Sequence, residues 1–189
     1  FIKDSNMETI TTKRLKLRRM AETDLQDFLD YQNHPNVLEY LNDDPITEEH
    51  ALRFLAQQAI AELTDQRCGI TLAVHHLEDD KMIGHIMLSL WAKVLNQGEI
   101  GFVIHPDYQR KGYAVEGVDA IFNYCFTQRE LHRMIAKCDI RNTASMGLME
   151  RLGMRREGHF KKSILIRNQW QDEYLYAILG EEWKMLNPR

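Results

Sequence analysis

The stretch Gly98-Glu99-Ile100-Gly101-Phe102-Val103-Ile104-His105-Pro106-Asp107-Tyr108-Gln109-Arg110-Lys111-Gly112-Tyr113-Ala114 decides how this chain is read. It runs from an apolar strand through a proline-terminated turn into a basic loop with one glycine, and a helical pattern opens directly afterwards. Strand, loop and helix start in that order build an anion site. The first N–H groups of a helix lack internal partners, and the helix dipole favours negative charge there. Gly112 has no Cβ, so a phosphate can approach its backbone closely. Arg110 and Lys111 add fixed positive charge at the same place. The loop suits a phosphorylated cofactor. Taken alone, Gln109-Arg110-Lys111-Gly112 reads equally well as a solvated basic turn.

Downstream, Val115, Val118, Ile121, Phe122, Cys125 and Phe126 recur at helical spacing, a stripe that faces a core. Residues 134–139 read as a strand and 142–152 as a helix, with Gly153 at C′. The strand at 99–104, the helix at 114–128 and the strand at 134–139 make a β-α-β unit, which sets its two strands parallel with the helix on one face. The tail, residues 159–179, reads as two strands around Arg167-Asn168-Gln169. Upstream, Ile70, Leu72 and Val74 alternate, Glu78-Asp79-Asp80-Lys81 forms a polar turn, and Met82 to Trp91 is an apolar run; together they read as a hairpin. Leu15 and Leu17 mark a short half-buried strand. Thr23 or Asp24 caps a helix carrying Leu25, Phe28 and Leu29, which His34-Pro35-Asn36 ends. After a turn at Asp43-Asp44-Pro45, Thr47 caps a second helix with Leu52, Leu55, Ile60 and Leu63 on its apolar side. The expected architecture is a mixed α/β (α+β) sheet with helices on both faces. Residues 7–189 read as one domain, and Phe1 to Asn6, which precede Met7, as a cloning remnant.

The length of 189 residues allows one domain with a substantial core, and no apolar run approaches the roughly 18 residues that span a bilayer. A formal net charge of −4 argues against a general nucleic-acid binder and is compatible with a cationic or amine substrate. Cys68, Cys125 and Cys138 lack C-x-x-C spacing. Their odd number, with no signal-peptide pattern, points to a reducing, cytoplasmic compartment, and Cys125 and Cys138 sit among apolar residues as buried thiols do. No two histidines stand four apart, and His75 and His76 point to opposite faces of a strand, so no metal is expected.

Six segments then occur in order: Thr12 to Arg18 as T-x-R-L-x-L-R, the strand E-I-G-F-V-I-H-P, Gln109 to Ala114 as Q-x-x-G-x-A, Asn142-Thr143-Ala144-Ser145, Leu152-Gly153-Met154, and Trp170-x-Asp172 before Tyr174-Leu175-Tyr176. In these the chain resembles the GNAT N-acetyltransferases, and more narrowly their ribosomal-protein (RimJ/RimL-like) branch, from Thr11 to Trp183. The resemblance implies a single-domain GNAT fold whose two parallel strands splay apart. It also implies acetyl-CoA as acetyl donor, its pyrophosphate on the backbone of Gln109, Arg110, Lys111, Gly112, Tyr113 and Ala114. The pantetheine arm would run along Phe102, Val103 and Ile104 and touch Asn142. No metal is implied.

Acetyl transfer to an amine needs a neutral amine, a stabilised carbonyl oxygen and a protonated leaving thiolate. The resemblance implies direct attack, with an N–H near Val103 or Ile104 facing the oxygen. Relatives often place a tyrosine seven residues after the asparagine; here Met149 stands there and cannot donate a proton. Ser145 is the thiol donor that the branch implies, and its other reading is a local hydrogen bond at the helix start. Glu99 is the candidate general base, or else a solvated strand-end carboxylate. Asp172 reads as a structural or substrate-pocket carboxylate, and Ile164 stands where some relatives carry a glutamate. The acceptor is a protein N-terminal amine or a small amine such as a polyamine, an amino acid or an antibiotic. The N-terminal helices and tail hairpin would line its pocket, with Trp91, Trp170 and Tyr174 either there or in core. A homodimer is compatible with the resemblance. A different class, a non-catalytic acetyl-CoA-binding sensor or interaction module, stays open because of Met149. A nucleotide phosphotransferase does not, since G-x-x-x-x-G-K-[ST] is missing.

Overall fold

A computed structural model describes residues 7, 9–41, 44–63, 68–91 and 95–188. Alternating apolar side chains lay out β1 (Ile10–Thr11), β2 (Leu15–Arg19), β3 (Cys68–His76), β4 (Lys81–Leu90), β5 (Gln97–Ile104), β6 (Arg133–Asp139), β7 (Arg155–Ile166) and β8 (Gln169–Leu179). They form one eight-stranded sheet in the order β1-β2-β3-β4-β5-β6-β8-β7. Between them run α1 (Leu25–Gln32), α2 (Pro35–Leu38), α3 (Glu48–Ile60), α4 (Tyr113–Asn123) and α5 (Thr143–Arg151), with α6 (Gly180–Leu186) at the end.

Every neighbouring pair of strands is antiparallel except β5 and β6. Those two are parallel because α4, extended by a π-helical turn over Tyr124–Gln128, carries the chain back across one face. Their pairing is short. Gln97, Gly98 and Glu99 oppose Arg133, Met134 and Ile135, and beyond them the strands separate while β6 stays paired with β8 throughout.

The two faces of the sheet are filled differently. Beneath α4 a continuous core joins Leu88 and Ile100 to Val118, Phe122, Met134, Ile178 and Trp183. On the opposite face Phe28, Tyr31, Leu55, Ala73 and Met82 pack with Val103 at the margin, and among the described residues no side chain of β6, β7 or β8 joins them.

Local structure departs from the sequence reading at several points. Asp24 does not cap α1: its carboxylate accepts the Ala21 N–H at 2.8 Å and pairs with Arg18 at 2.6 Å, closing a 3-10 turn over Glu22–Asp24. Thr47 caps α3 as expected, accepting the His50 N–H, but Ile60 is 81% exposed, and Ala51 and Leu55 are the buried residues of that helix. Pro35 follows α1 but opens α2 at its first position, where a missing N–H costs nothing. The first tail strand begins at Arg155, four residues before the expected 159. Helix α6 was not legible at all; the Glu182 carboxylate accepts the Leu179 N–H at 2.8 Å, and Trp183 packs on Phe126 with ring centroids 5.7 Å apart. The turn read at Asp43 lies partly, and the segment Phe1 to Asn6 wholly, outside the described residues. Among the described residues no helix is long and apolar enough to cross a membrane.

Candidate active site

Parallel strands end at the same edge of a sheet, so the helices that follow β5 and β6 start side by side. The N-termini of α4 and α5 flank the wide end of the gap between the two strands. Each brings its positive dipole end to that edge.

The loop into α4 is built to keep its amides free. A 3-10 turn over Pro106–Tyr108 is closed by the Gln109 N–H, which donates to the Pro106 carbonyl at 3.2 Å, while Gln109 Nε2 donates to the Ile104 carbonyl at 2.9 Å. Gln109 is a turn-closing residue, and its amide, expected among the phosphate ligands, is already satisfied. Arg110 and Gly112 then hold left-handed φ values of +60° and +85°, which curve successive N–H groups into one concavity. Among the described residues, the N–H groups of Arg110, Lys111, Gly112, Tyr113 and Ala114 donate to no protein acceptor. Tyr113 anchors the loop from behind, its hydroxyl 2.9 Å from His76 Nε2.

Hydrogen bonding along β5 decides which backbone groups face the gap. The His105 N–H donates to the Ile83 carbonyl, and the Gln97 carbonyl accepts the Trp91 N–H, both toward β4. With no register shift between β4 and β5, the odd-numbered residues bond β4 and the even-numbered ones face β6. The backbone of Val103, expected to lie open, is turned toward β4 opposite His85. Phe102 and the Ile104 N–H face the gap instead.

At the start of α5, Asn142 Oδ1 accepts the Ser145 N–H at 3.0 Å, capping the helix. The Ser145 side chain is half-buried, and among the described residues its hydroxyl has no hydrogen-bond partner, so the local bond foreseen as its alternative is not made. Met149 is buried in the core beneath α4. Glu99 stands at the last paired position of β5, on the face of α1 and α3, where it lines a cavity of about 380 Å³ with Cys68, Gly69, Ser89 and Trp91. Lys137 reaches it from β6, Nζ to carboxylate 3.7 Å. Sequence reading missed Lys137, because which β6 residue meets Glu99 depends on the register after a crossover of 28 residues rather than on local spacing.

Trp170, Asp172 and Tyr174 all stand on β8. Asp172 accepts the Lys162 N–H at 2.8 Å and His159 Nε2 at 2.6 Å, which holds the irregular pairing of β7 and β8 between Phe160 and Ile164. Those bonds, the Lys162 amide first, keep its carboxyl below the usual range. Trp170 is 60% exposed on the tail hairpin, and Tyr174 lies against Arg156, 4.4 Å from guanidinium to ring centroid. Burial pushes the Cys125 thiol up to about 12 and the Cys138 thiol up to about 11, so neither is a nucleophile near neutral pH. Among the described residues no three His, Cys, Asp or Glu side chains converge as metal ligands would.

Splayed parallel strands with an open amide loop at their wide end are the arrangement that the family resemblance implies. Residues 14–155 match the acetyltransferase (GNAT) domain, and this chain belongs to the GNAT family of acetyltransferases, which use acetyl-CoA. It is 41% identical over 174 residues to an uncharacterized N-acetyltransferase, YnaD, of Bacillus subtilis, covering 92% of this chain and 98% of that protein. The spermidine N(1)-acetyltransferase of Vibrio cholerae is 25% identical over 170 residues, 90% of this chain and 95% of that one. The ribosomal protein uS5-alanine N-acetyltransferase of Escherichia coli is 33% identical over 84 residues, 44% of this chain and 43% of that one. The crystal structure of a GNAT acetyltransferase from Bacillus anthracis superposes with a TM-score of 0.82 at 36% identity, over 92% of this chain and 99% of that one. The chain is an N-acetyltransferase.

Proposed function

We propose that this enzyme moves an acetyl group from acetyl-CoA to a primary amine by direct attack, in the gap between β5 and β6 and in the cytoplasm. The observation that carries this reading is the end of parallel pairing at Glu99 and Ile135, with unpartnered amides from Arg110 to Ala114 at the open end. Acetyl-CoA supplies an activated thioester and a diphosphate handle. The five amides and the start of α4 suit the diphosphate. The open edge of β5 gives an extended amide chain the pairing that β6 abandons, through Phe102 and the Ile104 N–H. An N–H at that edge also meets negative charge that develops on the carbonyl oxygen. Asn142, its Oδ1 held by the Ser145 N–H, keeps Nδ2 for the arm.

Ser145 donates its hydroxyl proton toward the departing thiolate, and no partner among the described residues holds that hydroxyl back. Glu99, at the apex of the gap, takes the amine proton directly or through one water. The pair with Lys137 orients that carboxylate and leaves it one-third exposed, open to an acceptor. Trp91 beside Glu99 gives an incoming ammonium an aromatic face before it loses its proton. Relatives that acetylate spermidine and a ribosomal protein's alanine support an amine acceptor. The test is coenzyme A release with spermidine, free amino acids, an aminoglycoside and alanyl or seryl peptides. Release that depends on one of these amines supports transfer; tight coenzyme A binding with no release from any overturns it in favour of a binding module.

A further inference from the structure

We propose that Arg14, in the turn before β2, is a positioning residue that aims the amides of the diphosphate loop. Arg14 Nη1 donates to the Lys111 carbonyl at 2.9 Å. A trans peptide unit points its carbonyl and the following N–H in opposite directions. Drawing the Lys111 carbonyl back toward β2 therefore turns the Gly112 N–H outward, to the concave side of the loop. The Gly112 carbonyl is held in the same sense, accepting the Glu116 N–H at 3.0 Å, which turns the Tyr113 N–H outward as well.

The guanidinium is itself fixed in place. Its Nε donates to Glu116 Oε2 at 2.7 Å, the Arg14 N–H donates to Glu116 Oε1 at 2.8 Å, and Thr12 Oγ1 donates to the same oxygen at 2.6 Å. Its plane lies over the Tyr113 ring, 4.4 Å from Cζ to centroid. Burial raises the Glu116 pKa, but the bonds from Thr12 and Arg14 outweigh that and hold it below the usual carboxylate range. One side chain thus ties the first turn of α4, the ring of Tyr113 and the loop carbonyl to the N-terminal turn. A lysine lacks the planar fork that presents one nitrogen to Glu116 and another to the Lys111 carbonyl in fixed geometry.

The inference rests on reading the loop as a diphosphate site, and the test separates the two. Dissociation constants are measured for coenzyme A and for S-acetylpantetheine, which lacks the diphosphate, with thermal melts in parallel. Arg14→Ala is expected to weaken coenzyme A about tenfold or more and leave S-acetylpantetheine unchanged, with Arg14→Lys no better than Arg14→Ala. Coenzyme A binding within about twofold of the parent, or an equal loss for both ligands, overturns the role of Arg14. A parent protein that binds both ligands equally overturns the loop reading itself. Should Arg14→Ala not melt cooperatively, Arg14→Lys and Glu116→Gln decide by the same comparison of ligands.

Discussion

Gly112 meets two demands at one position. Its φ of +85° is one that a side chain resists, and a Cβ there would stand 3.4 Å from Arg14 Nη2. Gly112→Val is expected to strain the loop by roughly 1–3 kcal/mol and press on Arg14 behind it, turning the amides out of line. Calorimetry should find coenzyme A binding weakened about tenfold or more in a folded protein; unchanged affinity would remove the loop from the site. Ser145→Ala is expected to reduce turnover by about a hundredfold while coenzyme A affinity and melting temperature hold, because the hydroxyl supports no bond within the fold. Equal losses of turnover and affinity would make it a binding residue. Glu99→Gln should abolish the rise of rate with pH that titration of a base produces, and a profile identical to the parent's would clear Glu99 of that task. Asn142 and Ser145 were legible through likeness to a family, carried by the contiguous run Asn142-Thr143-Ala144-Ser145, and the cap that joins them closes within one helical turn. Arg14 and Lys137 were not, since the partners of each are fixed by contacts across the fold.

At the scale of elements, β4 and α1 are joined by a buried polar contact. His85 Nδ1 and the Tyr31 hydroxyl are hydrogen-bonded at 2.8 Å inside the cluster of Phe28, Leu55 and Met82. Burial pushes the His85 imidazole down to about 4, so it stays neutral in the folded chain near neutral pH. In the unfolded chain it takes a proton near pH 6.5. Between those values the unfolded state binds the extra proton, so stability falls as pH falls, by up to about 3 kcal/mol. Urea midpoints taken from pH 7 to 4.5 should decline, and His85→Gln should flatten that decline; an equal slope in the variant would place the effect elsewhere. The strands from β2 onward and α3, α4 and α5 were legible because apolar periodicity and caps state them directly, whereas β1, two residues long, shows no period. Helix α6 escaped because the seven residues Gly180–Leu186 are too short to show a period, and its stability comes from Trp183 packing on Phe126.

For the molecule as a whole, the sequence stated the order of strands around the β-α-β unit but not where the pairing of β5 and β6 stops. Nothing in residues 99–104 differs from an ordinary paired strand, so the divergence entered only through likeness to a family. A ligand laid in that gap binds the folded state alone. Coenzyme A at a hundred times its dissociation constant should stabilise the chain by about 2.7 kcal/mol, or roughly 5–10 °C in melting temperature. Hydrogen exchange at the Phe102 and Ile104 amides should slow in step. A melt indifferent to coenzyme A would count against the gap as its seat.

The unequal filling of the two faces has a mechanical consequence. A joint fastened along one side bends in one direction. Swinging β6 to β8 away from α4 would tear apart the packed side chains of Ile100, Phe122, Met134 and Ile178. Swinging them the other way, so that the gap widens toward α1 and α3, meets no shared apolar filling among the described residues and strains such ties as the 3.4 Å bond from Arg167 Nη2 to the Leu38 carbonyl. Any yielding of the gap is therefore expected toward α1 and α3, while the side packed under α4 keeps its shape.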